Sequence, residues 1–485
     1  MPMERRGARN VAQGQSTPVI CADGWFKGYA RLHWIHSAAA REPGLRCMNI
    51  MHHINRHNLQ RAFRSLDGSK ASGVDHIRKI DYQADLNGNL TRLLDEIRGG
   101  GWRPKPSREV LIPKPQGGMR PLAIGCLEDK IVQTLVAKIL TALYEPEFYP
   151  FSYGFRPGKS AHQAINHLYR SVRRRHKSCV VVEMDIEKFF NSVDQTWLME
   201  RIQRKVGDPH MLRLIRRLLR NSILHGDGLL SDNERGTPQG SPVSPVLANI
   251  CLHELLDTWF AQNYGHEGEM IRYADDAVFV FKDRETADAF RHALTERMTE
   301  AGLQLNLDKS GIVKFDSGKP QGTLGFLGFE LYWGRTRMGR QRDLKVKTAS
   351  KKFSRALTAF GQWVKEVRNQ LPTAKLWSLA AAKLRGHYSY FGVRFNARKI
   401  GHFYRVCVHA LFKWLNRRSQ KRSYTWEQFQ RRLHFMPLPR PPLGFELLDI
   451  TDPKGIERKH KPKSRMRKLR TYGSVRSPGF TPGFT

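Results

Sequence analysis

Two stretches near the middle of the chain have the pattern of strands buried on both faces. In CVVVEMDIEKFFNSVD, residues 179–194, an unbroken apolar run is interrupted at Glu183–Asp185 and gives way to a helix-like segment. In IRYADDAVFVF, residues 271–281, β-branched and aromatic residues flank two adjacent acids, Asp275 and Asp276. Burying an unpaired carboxylate costs several kcal/mol, so these acids must meet solvent, cations or basic side chains. A surface hairpin with acids near its bend satisfies that condition, and a lone Asp185 at a strand end suits a helix N-cap. Further along, Ser244 and Pro245 in RGTPQGSPVSPVLANICL predict an N-cap and first turn for a helix through VLANICLHELLDTWF. Past residue 340 the period becomes helical. Phe353, Leu357, Phe360, Val364 and Val367 form one stripe, Trp377, Ala381, Leu384, Tyr388 and Phe391 a second, and Ile400, Phe403, Cys407, Ala410 and Trp414 a third. Three stripes predict a packed helical bundle.

Charge narrows what such a protein does. Over 485 residues, 82 Lys and Arg stand against 44 Asp and Glu, a formal net charge of +38 with a pI near 10.3. That field attracts polyanions, nucleic acid first. The basic residues occur along the whole chain rather than on one amphipathic helix, which argues against a membrane-surface protein. No apolar run approaches the roughly 20 residues of a membrane span, and the first fifty residues show no signal-peptide core. Cys21, Cys47, Cys126, Cys179, Cys251 and Cys407 are scattered without metal-ligand spacing. The expectation is a reduced, cytoplasmic, bacterial chain associated with nucleic acid and lacking structural zinc. The His-rich LHWIHSAAA and MHHINRHN fit packing or RNA contact better than metal binding.

Carboxylates at separate strand ends in a strongly basic chain suit two-metal chemistry, in which paired divalent cations align a hydroxyl, a phosphorus and a leaving pyrophosphate. Magnesium keeps waters and substrate phosphates in its shell, so two or three Asp suffice. One Asp at a strand end followed by a Tyr-x-Asp-Asp hairpin resembles the palm of reverse transcriptases. The resemblance continues in order through EVLIPKPQGGMRPLAI (109–124), YGFRPGKSAHQAI (153–165), RGTPQGSPVSPVLANICL (235–252), GLQLNLDKS (302–310) and LGFLGFEL (324–331). Together these look like the blocks of the group II intron-encoded reverse transcriptases, or maturases, over roughly residues 60–335. One block departs: SKASGVDHI carries His76 where the family shows a glycine.

The resemblance implies an α+β right-hand polymerase: fingers, a palm with an antiparallel sheet, a helical thumb and a basic C-terminal tail. An unassigned N-terminal extension would reach about residue 50, fingers and palm would span 51–340, the thumb (domain X of maturases) 341–450, and a tail mobile until bound 451–485. Arg385 and Gly386 before HYSYFG resemble the thumb's central motif. Asp185, Asp275 and Asp276, with the backbone of Ile186, would hold two magnesium ions. Lys114 and Arg120 would meet the incoming nucleotide's phosphates from a glycine-rich loop between strands. Phe190 would bar a ribose 2′-hydroxyl while Phe189 packs, and Gln239 would line the nucleotide and template groove. Roles for Lys309 and Tyr273 stay open. The implied partners are the protein's own intron RNA, an RNA template with a DNA primer, and dNTPs, as monomer or dimer. The activity would be RNA-directed DNA synthesis, with help to intron splicing and target-primed copying during insertion. No HNH nuclease is expected, since no cysteine follows residue 420, and no ribonuclease H. Two other readings compete: an RNA-binding splicing cofactor with an idle polymerase site, and a retron-like, diversity-generating or defence-associated enzyme. QGSPVSP and the long thumb favour the intron reading over the latter.

Overall fold

The computed structural model describes residues 26–451 apart from 114–116, 176–177, 307–309, 318–321, 337–338, 340–341, 419–423 and 443–446. Lys114, Lys309 and nearly all of the expected basic tail therefore lie outside the described residues.

Four helices come first: α1 (Leu32–Arg41), α2 (Arg56–Ser65), α3 (Lys79–Gln83) and α4 (Leu86–Arg98). A hairpin of β1 (Ser107–Pro113) and β2 (Met119–Ile124) precedes α5 (Leu127–Tyr144) and α6 (Ala161–Arg174). Strand β3 (Ser178–Met184) leads through α7 (Phe189–Ser192) to α8 (Gln195–Lys205), α9 (Pro209–Leu219) and the short β4 (Ile223–Leu224) and β5 (Leu230–Ser231). Next, α10 (Ser244–Leu252) passes through a π-helical turn, His253–Asp257, into α11 (Thr258–Asn263). The hairpin β6 (Gly268–Tyr273) and β7 (Asp276–Phe281) is followed by α12 (Arg284–Glu300), β8 (Ile312–Asp316), β9 (Leu324–Phe326), β10 (Phe329–Arg335) and β11 (Arg342–Thr348). Last come α13 (Ser350–Val367), α14 (Thr373–Phe391), α15 (Ala397–Leu415) and α16 (Trp426–Phe435).

The central sheet runs β6-β7-β3-β8, all antiparallel. Its middle strands explain the unbroken apolar runs. Val180, Val182, Met184, Phe279 and Phe281 face one core, shared with α5 and α8 to α12. Cys179, Val181, Val278 and Val280 face a second, shared with α6 and the β11-β10-β9 sheet. Strands covered on both faces have no polar alternation to show.

Another sheet runs β2-β1-β4-β5, with β1 and β4 parallel. The three expected helical stripes appear on α13, α14 and α15, where Phe360, Val364, Leu384, Tyr388, Phe403 and Cys407 close a third core with Phe429 of α16. The described part of the N-terminal extension belongs to the main body. Phe26, Tyr29, Leu32 and Ile35 join the first core, and the Asp208 carboxylate caps α9 while accepting the Ile50 and Met51 N–H groups at 2.9 and 2.8 Å.

Two local expectations are corrected. Ser244 is the first residue of α10, not its N-cap: Val243 stands at the cap, and the Ser244 hydroxyl donates to the Pro238 carbonyl at 2.9 Å. A short hydroxyl can bond nearby backbone instead of a helix end, and here the preceding PQGS turn supplies the acceptor. Asp185 caps no helix, because α7 starts four residues later behind Lys188. His76 sits at φ +57°, the left-handed region in which the family's glycine would be unstrained. The five described cysteines are free thiols, and among the described residues no helix is long and apolar enough to cross a membrane.

Candidate active site

The end of β3 is held in place by the segment after α12. The Asp185 N–H donates to Ser310 Oγ at 3.1 Å, and its carbonyl accepts from the Asn306 N–H at 2.8 Å. The backbone N–H groups of Glu183 and Glu187 on either side donate to the Gly311 and Gln304 carbonyls, and buried Ile186 bridges to Leu305. Asp185 is thus fixed one residue past the last β3–β7 pair, Met184 with Ala277.

Opposite it, Tyr273 pairs with Asp276 across a two-residue turn of Ala274 and Asp275. Ala274 adopts φ +58°, a left-handed conformation that costs an L-residue roughly 1–2 kcal/mol. The surroundings impose it. Gly154 packs so closely on this turn that a Cβ there would lie 2.2 Å from the Ala274 nitrogen. Behind the turn Arg272, with 0% of its surface exposed, donates from Nε and Nη2 to the Asp257 carboxylate at 2.7 and 2.5 Å. Its Nη1 reaches Asn249 Oδ1 and the Ala274 carbonyl, each at 3.0 Å, and Asn249 Nδ2 donates to the Gly154 carbonyl at 2.8 Å. The π-helical turn ends at Asp257 and brings that carboxylate under Arg272; such insertions into helices often mark functional sites. Buried Arg156 secures the other side, pairing with Glu145 at 2.9 Å and holding the Tyr149 and Ser152 carbonyls.

Burial pushes the Asp275 carboxyl above the ordinary carboxylate range, and the charge on Asp185 adds to that; Arg120 and Arg272 act in the opposite sense. Asp185 at the end of β3, Asp275 in the β6–β7 turn and Arg120 on β2 are thus near enough for the charges of Asp185 and Arg120 to act on Asp275. Arg120 is exposed on β2, opposite Ile112 of β1. Asp276 is exposed on the same hairpin, and half-buried Tyr273 has its phenol raised by burial.

Phe189 is buried, whereas Phe190 is half-buried and meets it edge-on at 5.6 Å. The Phe190 carbonyl accepts from the Thr237 N–H at 2.5 Å, and Gln239 Nε2 donates to Asn191 Oδ1 at 3.0 Å. The Gln239 carbonyl in turn accepts from the Ala123 N–H of β2 at 2.8 Å, joining this segment to the β1–β2 sheet. Gly236, at φ +77°, leaves room for that contact: a Cβ would lie 2.3 Å from the Phe190 carbonyl oxygen.

Among the described residues, no three His, Cys, Asp or Glu side chains converge tightly enough to cage an ion unaided. The donor set nevertheless suits a hard divalent cation that shares substrate phosphates. It is all oxygen, and two carboxylates that repel each other in a half-buried position are what such an ion relieves. Reading the sequence for motifs misses the Arg272–Asp257–Asn249 support. Its signal was present as a charge inside each of two apolar runs, IRY and LLDTWF, where a buried cation requires a buried anion.

The family sequence model described as "Reverse transcriptase (RNA-dependent DNA polymerase)" matches residues 112–331, which include every described candidate residue above. Protein YkfC of Escherichia coli is 31% identical over 365 residues, covering 66% of this chain and 93% of YkfC. The group II intron-encoded protein LtrA of Lactococcus lactis is 34% identical over 198 residues, 40% of this chain and 32% of LtrA. An uncharacterised 91 kDa protein in a cob intron of Schizosaccharomyces pombe is 38% identical over 172 residues, 34% of this chain and 20% of that protein. The chain therefore spans nearly all of one relative but a third or less of these two intron proteins.

Proposed function

We propose, from the premise that the chain belongs to the reverse transcriptase (RNA-dependent DNA polymerase) family, that it serves a group II intron: it copies the intron RNA during target-primed insertion and, as a maturase, binds that RNA to promote splicing. The observation that carries the polymerase site is that Asp185, one residue past the Met184–Ala277 pair, ends beside the hairpin turn that carries Asp275 and Asp276, with the charge of Arg120 acting on Asp275 from β2. Asp185, Asp275 and Asp276, with the Ile186 carbonyl, would hold two magnesium ions. Such ions, when bound, favour loss of the primer 3′-hydroxyl proton and neutralise the departing pyrophosphate.

The chain's own residues do the rest. Arg120 balances triphosphate charge, in company with Lys114. Phe190, packed against Phe189 and held through its carbonyl, presents a fixed ring to the sugar and excludes a 2′-hydroxyl. Gln239, anchored at both its side chain and its carbonyl, keeps the groove floor in register with the fingers. Tyr273 lines the hairpin beside the carboxylates. Lys309 is left without a role.

Intron RNA as partner is supported by the likeness to intron-encoded relatives and by a basic thumb suited to RNA phosphates. The test pairs the purified chain with the intron RNA that flanks its gene. Tight binding and faster splicing at low magnesium are the expected result. Equal affinity for unrelated structured RNA, with no change in splicing, sinks the maturase part and leaves the polymerase standing.

A further inference from the structure

The HYSYFG motif closing α14 has no place in the chemistry above, yet it packs on α6 and on the β9–β10 hairpin. We propose that Tyr390 is a positioning residue, a latch that sets the angle of the helical thumb against the catalytic hairpin and so governs how long the enzyme stays on its primer; this rests on the polymerase reading.

Tyr390 is held at both ends by palm elements. Its backbone carbonyl accepts from His162 Nε2 on α6 at 2.7 Å, which assigns the proton to that ring nitrogen. Its hydroxyl donates to the Leu327 carbonyl at 2.9 Å. Leu327 and Gly328, at φ +49° and +79°, form the two-residue turn between β9 and β10. Two positive φ values suit that tight hairpin, and a leucine in the first position is strained, so an external bond to its carbonyl helps to hold the turn. The Tyr390 ring packs on Phe329 at 5.5 Å and on His162 at 5.6 Å, with Phe391 edge-on at 4.8 Å.

The same side chain lies within range of the charges of the catalytic hairpin. Burial pushes its phenol up to about 12, with further contributions from Tyr273 and Asp276, so it stays protonated and able to donate at any working pH. With 36% of its surface exposed, it also borders open space. Farther along the same joint, Asn396 accepts the Thr348 N–H at 3.0 Å and donates to Thr348 Oγ1 at 2.8 Å, fixing the root of the bundle to β11. Tyr390 adds a second fixing point nearer the carboxylates. Two points define an angle where one leaves a pivot, and a duplex leaving the site must pass between thumb and palm.

The test uses the full chain on a long RNA template with a DNA primer, with excess unlabelled primer–template added at the start as a trap. Nucleotides added per binding event are compared with the rate of single-nucleotide addition. Tyr390→Phe keeps the ring and loses the hydroxyl; the expected result is a fall of about three- to tenfold in nucleotides per event, with single addition changed less than twofold. His162→Gln preserves a donor near Nε2 and retains wild-type behaviour, whereas His162→Leu reproduces the Tyr390→Phe defect. Unaltered nucleotides per event in Tyr390→Phe, or parallel losses in both measurements, overturn the latch. A wild-type chain that never extends overturns the polymerase reading itself, a different and separately visible outcome.

Discussion

Asp275 carries a conflict between folding and use. Its pKa is raised in the fold, so its ionised form is disfavoured there relative to the unfolded chain. The associated cost is absent below the unfolded value and develops as pH rises through the folded one. Asp275→Asn should therefore raise the melting temperature of the magnesium-free protein at pH 7, with the gain shrinking toward zero below about pH 4. The same substitution should cut primer extension by at least about 10²-fold. Calorimetry over that pH range, beside an activity assay, checks both halves. Arg272 gives a second prediction. Arg272→Met leaves Asp257 buried with its guanidinium partner gone and only His253 Nδ1 nearby, at 4.0 Å, and should cost about 3–5 kcal/mol in urea unfolding. Adding Asp257→Leu should recover most of that stability but not the extension rate, because nothing then holds the Ala274 carbonyl. At this scale the acids were legible, since a carboxylate in an apolar run needs a reason. Arg272 was equally out of place, yet the partners that explain it lie 15 and 23 residues away on another element.

Among the elements, the palm strands and the three thumb stripes were readable because burial on both faces, or on one helical face, leaves a period in the sequence. The two-residue strands β4 and β5 left none, and the π-helical turn within VLANICLHELLDTWF looks like uninterrupted helix. The tie between α6 and β6 was also unreadable, because its charges are spread over a hundred residues. There Glu269 accepts from Ser171 Oγ at 2.6 Å and Arg174 at 2.5 Å, with His167 and Arg175 close by. Hydrogen bonding from His167, then Ser171 and the two arginine charges, outweigh burial and hold its carboxyl down at about 2. A depressed carboxylate stabilises the fold above its unfolded pKa and loses that contribution as pH falls through the folded value. Glu269→Gln should thus cost about 1–2 kcal/mol at pH 7, with the difference from wild type fading between about pH 4.5 and pH 2. Denaturant titrations at several pH values would show it; a pH-independent difference would mean that packing, not charge, makes the tie.

For the whole molecule, a net charge of +38 acts with a site built from three elements. RNA affinity should fall steeply with salt, by tenfold or more between about 50 and 200 mM, and the fall should be the same for Asp275→Asn as for wild type. That equality separates holding nucleic acid from using it. The measurement that tests the central claim most directly is primer extension on an RNA template with dNTPs and magnesium, wild type against Asp275→Asn, with RNA binding followed in the same samples. The account predicts extension by the wild type, none by the variant, and equal binding by both. Tight RNA binding by a wild type that extends no primer at any magnesium or salt concentration would contradict it, and would leave an RNA-binding splicing cofactor built on a polymerase fold.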